Sequence, residues 1–257
     1  MGHAWLPASQ QAALSSGRYA VALATVDEVL PLRRAVFADP GPDAFDGAST
    51  QVAIRDRQTG QVVCAYRYMI FPGGEALAKG YAAQAYDLSA LTDFPGPVLE
   101  LGRFCLAPDC HDPHVLRLAW AVLTCIVDAA GVTLLCGCAS FAGTDPAPYS
   151  AALARLAQLH LAPSAYAPRV KASQTYAYAQ HIQPQDDPRA AARQMPGLLR
   201  TYLSMGGWVS DHAVIDPAMD TLHVFTGVEI ARIPPARQRL LRALAATPPL
   251  DAEQGKP

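Results

Sequence analysis

The chain has 257 residues, 20 of them lysine or arginine and 22 aspartate or glutamate, a formal net charge of −2, and 51% apolar residues. That length can bury a real core, in one large domain or two small ones. The composition excludes wholesale disorder, and near-neutral charge argues against nucleic-acid binding.

Residues 1–17 carry no period and read as a loose leader. No charged stretch followed by an apolar run stands there, and Leu6 occupies the position where a myristoyl signal needs Ser or Thr. Neither a signal peptide nor a lipid anchor is predicted, so the chain reads as cytoplasmic. A first strand is predicted at Tyr19–Ala24. Residues 26–37 have helical spacing through Val29, Leu30, Leu32, Val36 and Phe37, with Thr25 as N-cap. Asp39-Pro40-Gly41-Pro42-Asp43 is a loop by its turn residues. Strands at Thr50–Asp56 and residues 61–70 flank Gln58-Thr59-Gly60 as a hairpin. Pro72-Gly73-Gly74 breaks that pattern, and residues 86–91 read as a short helix or loop.

Val98–Leu106 is the next strand, followed by a loop at residues 108–113 and a strong helix over residues 114–129 that Gly131 closes. Residues 132–140 are almost continuously apolar, the mark of a strand buried on both faces. A helix at 147–160, a strand at 175–180, a helix at 196–205 and a strand at 222–228 complete the series. This alternation predicts an α/β fold with a mixed, mostly antiparallel sheet flanked by helices. It places one domain over residues 18–244, with 245–257 as a flexible tail. Residues 115–130 are too short and too charged to cross a bilayer, carrying Arg117 and Asp128. Residues 237–244 alternate arginine with leucine, which suits a short amphipathic helix on anionic lipid or a terminal helix packed on the domain.

Lysine stands only at Lys79, Lys171 and Lys256, so nearly every cation is arginine. Arginine grips carboxylates and phosphates with two parallel bonds, though high-GC coding accounts for the bias as well. Cys64, Cys105, Cys110, Cys125, Cys136 and Cys138 lie in apolar patterns rather than at framework spacings, which predicts reduced thiols. Neither a P-loop nor a dinucleotide fingerprint is present. Cys136-x-Cys138 has no metal spacing, and Ser140 stands outside any nucleophile elbow.

Glu100 and Arg103 are the most informative pair. Three residues apart on an apolar strand, they fall on opposite faces unless Gly102 forms a bulge. A mutually satisfied structural pair is the plain alternative. Asp43 and Asp46 sit in the loop after the first long helix, and Arg67 stands inside a half-buried strand where it needs a partner.

Taken in order, Arg33-x-x-x-Phe37, Phe45-Asp46, Arg67, Glu100-Leu-Gly-Arg103-Phe104, Gly137-Cys-Ala-Ser-Phe141-x-Gly-Thr-Asp145 and Thr201-Tyr-Leu-x-x-Gly206-Gly207 resemble the bacterial L-ornithine Nα-acyltransferases. The likeness runs from about Tyr19 to Leu240. That family makes lyso-ornithine lipid, has the GNAT acyltransferase fold and is similar to the acyl-homoserine-lactone synthases. The resemblance implies transfer of a 3-hydroxyacyl group from acyl carrier protein to the α-amine of ornithine. The donor would be acyl-phosphopantetheine, with no permanently bound cofactor and no metal. It implies Glu100, Arg103 and Asp46 as catalytic residues, Glu100 taking the amine proton directly or through water. Arg33, Phe37, Asp43, Arg67, Phe104, Cys138, Ser140 and Phe141 would bind substrate. Asp43 and Asp46 would hold the cationic side chain, and Arg103 or Arg67 the carboxylate. Splayed strand N–H groups would steady the thioester oxyanion. The phosphopantetheine arm would lie near the loop at residues 108–114 and the helix N-terminus that follows it.

One departure stands out. The family often has a histidine just past the Phe-Asp pair and another after Glu-x-Gly-Arg, where this chain has Gln51 and Ala107. Glutamine or another amino acid as acceptor, an acyl-homoserine-lactone-type signal synthase, and a non-catalytic acyl-carrier or membrane adaptor are the competing readings. Peripheral contact with the inner face of the cytoplasmic membrane belongs to the same set of expectations.

Overall fold

Thr25 starts the first long helix with a reciprocal pair of bonds. Its hydroxyl accepts from the Glu28 N–H at 3.3 Å, and the Glu28 carboxylate accepts from the Thr25 N–H at 2.7 Å. Two orphan donors are thereby satisfied at the helix entry. The structure is a computed structural model that describes residues 5–15, 17–37, 41–181 and 187–246.

In chain order the elements begin with α1 (Ala8–Leu14), β1 (Tyr19–Ala24), α2 (Val26–Val36), β2 (Thr50–Asp56) and β3 (Val62–Phe71). Next come β4 (Tyr86–Asp87), β5 (Val98–Leu106), α3 (Pro113–Ala129), β6 (Leu134–Ala142) and α4 (Ser150–Leu159). The short pieces β7 (Arg169–Val170), β8 (Thr175–Tyr176), α5 (Tyr178–His181) and α6 (Pro188–Gln194) follow. The chain continues through α7 (Gly197–Ser204), β9 (Trp208–Val209), β10 (Ala213–Asp216), β11 (Thr221–Glu229) and α8 (Pro235–Ala246).

These elements fall into two compact units. Met1–Met69, Gly102–Val132 and Pro235–Pro257 make the first; Ile70–Leu101 and Thr133–Pro234 make the second. In the first, β1, β2 and β3 pair antiparallel in sequence order, and the Gly102–Leu106 part of β5 runs beside β3. Val29 and Leu32 of α2 pack with Ala53, Ala65 and Cys105 into one apolar cluster. The helix α3 is apolar almost all round, as befits a helix covered on more than one side. Its N-cap Asp112 accepts from the His114 N–H at 2.9 Å, and Pro113 fills the first helical position. Arg242 of α8 reaches Asp128 of α3 at 3.2 Å and Leu241 is buried, so residues 237–244 form a helix packed on α3, one of the two readings the sequence left open.

In the second unit, Val98–Leu101 of β5 pairs parallel with β6, Leu161 makes an isolated parallel bridge to Val209, and the other strand ladders among the described residues are antiparallel: β6 with β11, β11 with β10 and β9, β10 with β8, and β4 with β7. Phe141, Leu222 and Val224 meet Leu153, Leu156 and Leu199 on one face of this sheet.

Several expectations change. Residues 8–14, read as part of a leader, form α1 between the buried Leu6 and Leu14. Only Thr175–Tyr176 of the strand expected at 175–180 pairs; Tyr178–His181 turns into α5, with the Tyr178 hydroxyl anchored on the Ser210 carbonyl. The 182–186 and 247–257 stretches lie outside the described residues, as do 38–40, so the expected tail and part of the Asp39–Asp43 loop are not described. None of the helices among the described residues is long and apolar enough to cross a membrane.

Gly137 lies opposite Leu101 with a φ of +156°, and a Cβ there would stand 2.3 Å from the Leu101 carbonyl oxygen. Backbone cannot move aside as a side-chain tip can. Gly137→Ala is therefore expected to destabilise the chain by about 2–4 kcal/mol, read as a lower urea midpoint. An unchanged midpoint would mean that β6 relaxes around the methyl group.

Candidate active site

A buried carboxylate organises the first unit. Asp46 opens a 3-10 turn after the loop that follows α2, and its side chain is 4% exposed. Its Oδ1 accepts from Arg33 Nη1 at 2.9 Å, Arg67 Nη1 at 2.7 Å and Gln51 Nε2 at 3.2 Å. Its Oδ2 accepts from the Asp43 N–H at 3.0 Å. Arg33 comes from α2, Gln51 from β2 and Arg67 from β3, and the β2–β3 register sets Gln51 directly opposite Arg67. Gln51 Oε1 accepts from Arg33 Nη2 at 2.7 Å. Gln51 thus fills the position where the family resemblance suggested a histidine, and it joins the network through both ends of its amide.

Asp43 occupies the outer end. Arg67 grips it through two parallel bonds, Nη1 to Oδ1 at 2.6 Å and Nη2 to Oδ2 at 2.8 Å, and Arg103 Nη2 adds a third at 2.8 Å. Exposure rises along the chain of groups, from 1% at Arg33 and 3% at Arg67 to 10% at Arg103 and 24% at Asp43. Burial alone would push the Asp43 carboxyl up, but the Arg67 bond and charge, the Phe45 N–H and the Arg103 charge bring it down to about 2. Asp46 is lowered in the same way: burial opposes ionisation, and the Asp43 N–H with Arg33 and Arg67 overcomes it. Among the described residues, Arg33, Arg67 and Arg103 meet Asp43 and Asp46 in this cluster.

Arg103 is also a backbone exception, with φ of +52°. The strand irregularity that the sequence suggested at Gly102 falls on Arg103 itself. A non-glycine residue in that region costs about 1–2 kcal/mol, and the bond to Asp43 helps to hold it there. Phe104 stacks on Tyr66 at 5.6 Å, the Phe45 ring lies 5.9 Å from Arg67 Cζ, and Phe37 ends α2 against the apolar cluster.

In the second unit the Glu100 side chain is buried, and both its oxygens accept backbone N–H groups, Oε2 from Tyr81 at 2.8 Å and Oε1 from Ala82 at 2.7 Å. Phe141 belongs to the core, Cys138 is half-buried opposite Phe225, and Ser140 is exposed opposite His223. Burial, then the Glu100 charge, pushes the Cys136 thiol well up, and burial raises Cys105 to about 12. Neither is a thiolate near neutral pH. Tyr86 donates to the His223 carbonyl at 2.8 Å, and burial brings the His223 ring down to about 4, so it is neutral.

The structure therefore brings Arg33, Asp43, Asp46, Arg67 and Arg103 into one network within the first unit. The roles suggested for Asp46 and Arg33 meet a physical obstacle. Both Asp46 oxygens are engaged and the Arg33 side chain is enclosed, so neither presents a face to a substrate. The N-terminus of α3, expected to receive a phosphate, is capped by the Asp112 carboxylate, which also accepts from the Tyr19 hydroxyl at 2.9 Å. Gln51 and the amides of Tyr81 and Ala82 were not foreseen as part of these sites. Only the departure at Gln51 hinted at one of them.

Two tests follow from this network. Asp46→Asn leaves two buried guanidinium groups undercompensated and is expected to cost about 3 kcal/mol or more in a urea titration. A variant as stable as wild type would remove Asp46 from its central place. The depressed Asp43 carboxyl stabilises the folded chain above its unfolded value of 3.8, and that contribution disappears as pH falls through about 2. Wild type should outlast Asp43→Asn in urea at neutral pH, with the gap narrowing steadily below about pH 4. A gap independent of pH would contradict the ion-pair account.

Comparison with known proteins adds the following. Residues 32–121 match the acetyltransferase (GNAT) domain family. An L-ornithine Nα-acyltransferase of Rhodobacter capsulatus is 35% identical over 164 residues, 64% of this chain and 62% of that protein. One from Brucella abortus is 31% identical over 178 residues, 67% of this chain and 62% of that protein. The chain thus spans about 62% of the length of these curated relatives. Among solved structures, FeeM, an N-acyl amino acid synthase from uncultured soil microbes, has a TM-score of 0.44 at 9% identity, covering 89% of this chain and 97% of that one.

Proposed function

We propose, for a chain that carries a GNAT acyltransferase domain and is related to the L-ornithine Nα-acyltransferases, that it joins a fatty acyl group to the α-amine of ornithine. The donor is a 3-hydroxyacyl thioester on the phosphopantetheine arm of acyl carrier protein, and the product is lyso-ornithine lipid. The observation that carries the reading is the outer end of the network, where Arg103 donates to Asp43 and both are more exposed than Arg33, Arg67 and Asp46. An arginine fork at that outer end suits the α-carboxylate of an amino acid.

The α-amine, with a reference pKa of about 8, is largely protonated at neutral pH and must lose that proton to attack. In this reading Glu100 takes it, directly or through a water molecule. The amine nitrogen then bonds to the thioester carbonyl carbon, the carbon–sulfur bond breaks, and the thiol of the arm leaves with a proton. No covalent enzyme intermediate is needed, which fits the buried, protonated thiols of Cys105 and Cys136.

The decisive experiment incubates the full chain with 3-hydroxyacyl carrier protein and single amino acids and follows amide products by mass spectrometry. N-acylornithine is expected; no amide product with any amino acid would overturn the proposal, and a glutamine amide alone would reassign the acceptor. Glu100→Gln should lower kcat by roughly 10²-fold or more. A folded Glu100→Gln protein with near-wild-type kcat between about pH 7 and 9, where the amine titrates, would remove Glu100 from proton transfer. Arg103→Lys keeps the charge but loses the planar fork, so it should raise the ornithine KM about tenfold with little change in kcat.

A further inference from the structure

Glu100 is held by a segment that nothing in its own strand specifies. The N–H groups of Tyr81 and Ala82 each donate to one of its oxygens, and Gly80 precedes them. Gly80 has φ of −76°, a conformation open to any residue, so its backbone does not explain the absence of a side chain. The carboxylate does. A Cβ on Gly80 would stand 2.6 Å from Glu100 Oε2, 3.1 Å from its Cδ and 3.0 Å from the Leu77 carbonyl oxygen. The volume of a methyl group at residue 80 is thus taken by Glu100.

The same segment is fastened from its other side. Lys171 Nζ donates to the Ala83 carbonyl at 2.6 Å, the Ala172 N–H donates to the Ala85 carbonyl at 3.0 Å, and Val170 pairs with Tyr86. Ala83 belongs to the short 3-10 helix Ala82–Gln84, whose first N–H holds Glu100. Lys171 therefore grips the carbonyl end of the residue next to the one whose amide orients the carboxylate. Its Nζ bonds to a neutral carbonyl, and Lys79, seven sequence positions from Tyr86, makes no comparable tie among the described contacts.

We propose that Gly80 and Lys171 are positioning residues for Glu100, the first by leaving room for the carboxylate and the second by fixing the helix whose amides orient it. This rests on the reading of Glu100 as the proton acceptor. Neither residue needs to touch substrate. The lysine acts on the orientation of a group already in place, so its loss lowers the rate of the chemical step and leaves amino-acid binding alone.

The test uses the full chain with ornithine and 3-hydroxyacyl carrier protein, and the variants Lys171→Met, Lys171→Arg, Lys79→Met, Gly80→Ala and Glu100→Gln. Lys171→Met and Gly80→Ala are expected to lower kcat between about 10- and 100-fold, the scale of a misplaced catalytic group. The ornithine KM should stay within about twofold. Lys171→Arg, which keeps a donor on a long stem, should restore most of kcat, and Lys79→Met should match wild type. A folded Lys171→Met protein with wild-type kcat, a loss carried by KM, or a failure of arginine to rescue would overturn the proposal. Should Gly80→Ala not fold, the lysine series decides the matter alone. Near-wild-type kcat in Glu100→Gln would instead remove the proton-transfer reading beneath it, a result separable from every lysine outcome.

Discussion

The first unit depends on one buried carboxylate. Taking a charge out of water costs several kcal/mol even after the protein relaxes, and here two guanidinium groups, Arg33 and Arg67, are enclosed to nearly the same degree as Asp46. None of the three is tolerable alone. Together they tie α2, β2, β3 and the loop carrying Asp43 to a single pair of oxygens. A carboxylate offers about four acceptor sites, and Asp46 uses four. Asp43, three residues earlier, also accepts four bonds, and what separates the two is exposure, 24% against 4%. Asp46 fixes where Arg67 stands, and Arg67 then presents its fork at the rim, where Asp43 is the carboxylate it meets.

Much of this was legible in the chain itself. Thr25 as N-cap marked the start of α2, and the patterns at Tyr19–Ala24, Thr50–Asp56 and Val98–Leu106 matched the strands to the residue. An arginine inside a strand needed a partner, and the sequence offered Glu100 or a carboxylate ligand, whereas the structure gives Arg67 Asp43 and Asp46. The sequence could not say which partner each arginine takes. That depends on the β2–β3 register, which sets Gln51 opposite Arg67 and lets a neutral amide share the charge. Nor could local pattern separate strand from helix at residues 175–180, because the anchor of Tyr178 is the Ser210 carbonyl, more than thirty positions away. Tertiary contacts of that kind override local preference.

The most telling discrepancy concerns β5. Period-two reasoning put Glu100 and Arg103 on opposite faces and placed any irregularity on the glycine between them. The left-handed residue is Arg103. An energetically unfavourable backbone at an arginine persists only where its surroundings determine it, and the bond to Asp43 is one such determinant. Glycine elsewhere serves a different need. Gly80 makes room for the Glu100 carboxylate and Gly137 for the Leu101 carbonyl, so two consecutive residues of β5 are each approached more closely than a Cβ would permit. Crowding fixes the strand at residues 100 and 101, and the backbone departs from strand geometry two residues later. The placement of Glu100 is thus set by residues that lack side chains and by backbone N–H groups. These leave little trace in a sequence read for chemistry, although Lys79-Gly80-Tyr81 lies in plain view. A carboxylate oriented by main-chain amides keeps its orientation only while the segment that carries them is held in place, which makes Gly80 and the segment after it as much a part of the chemistry at Glu100 as the carboxylate itself.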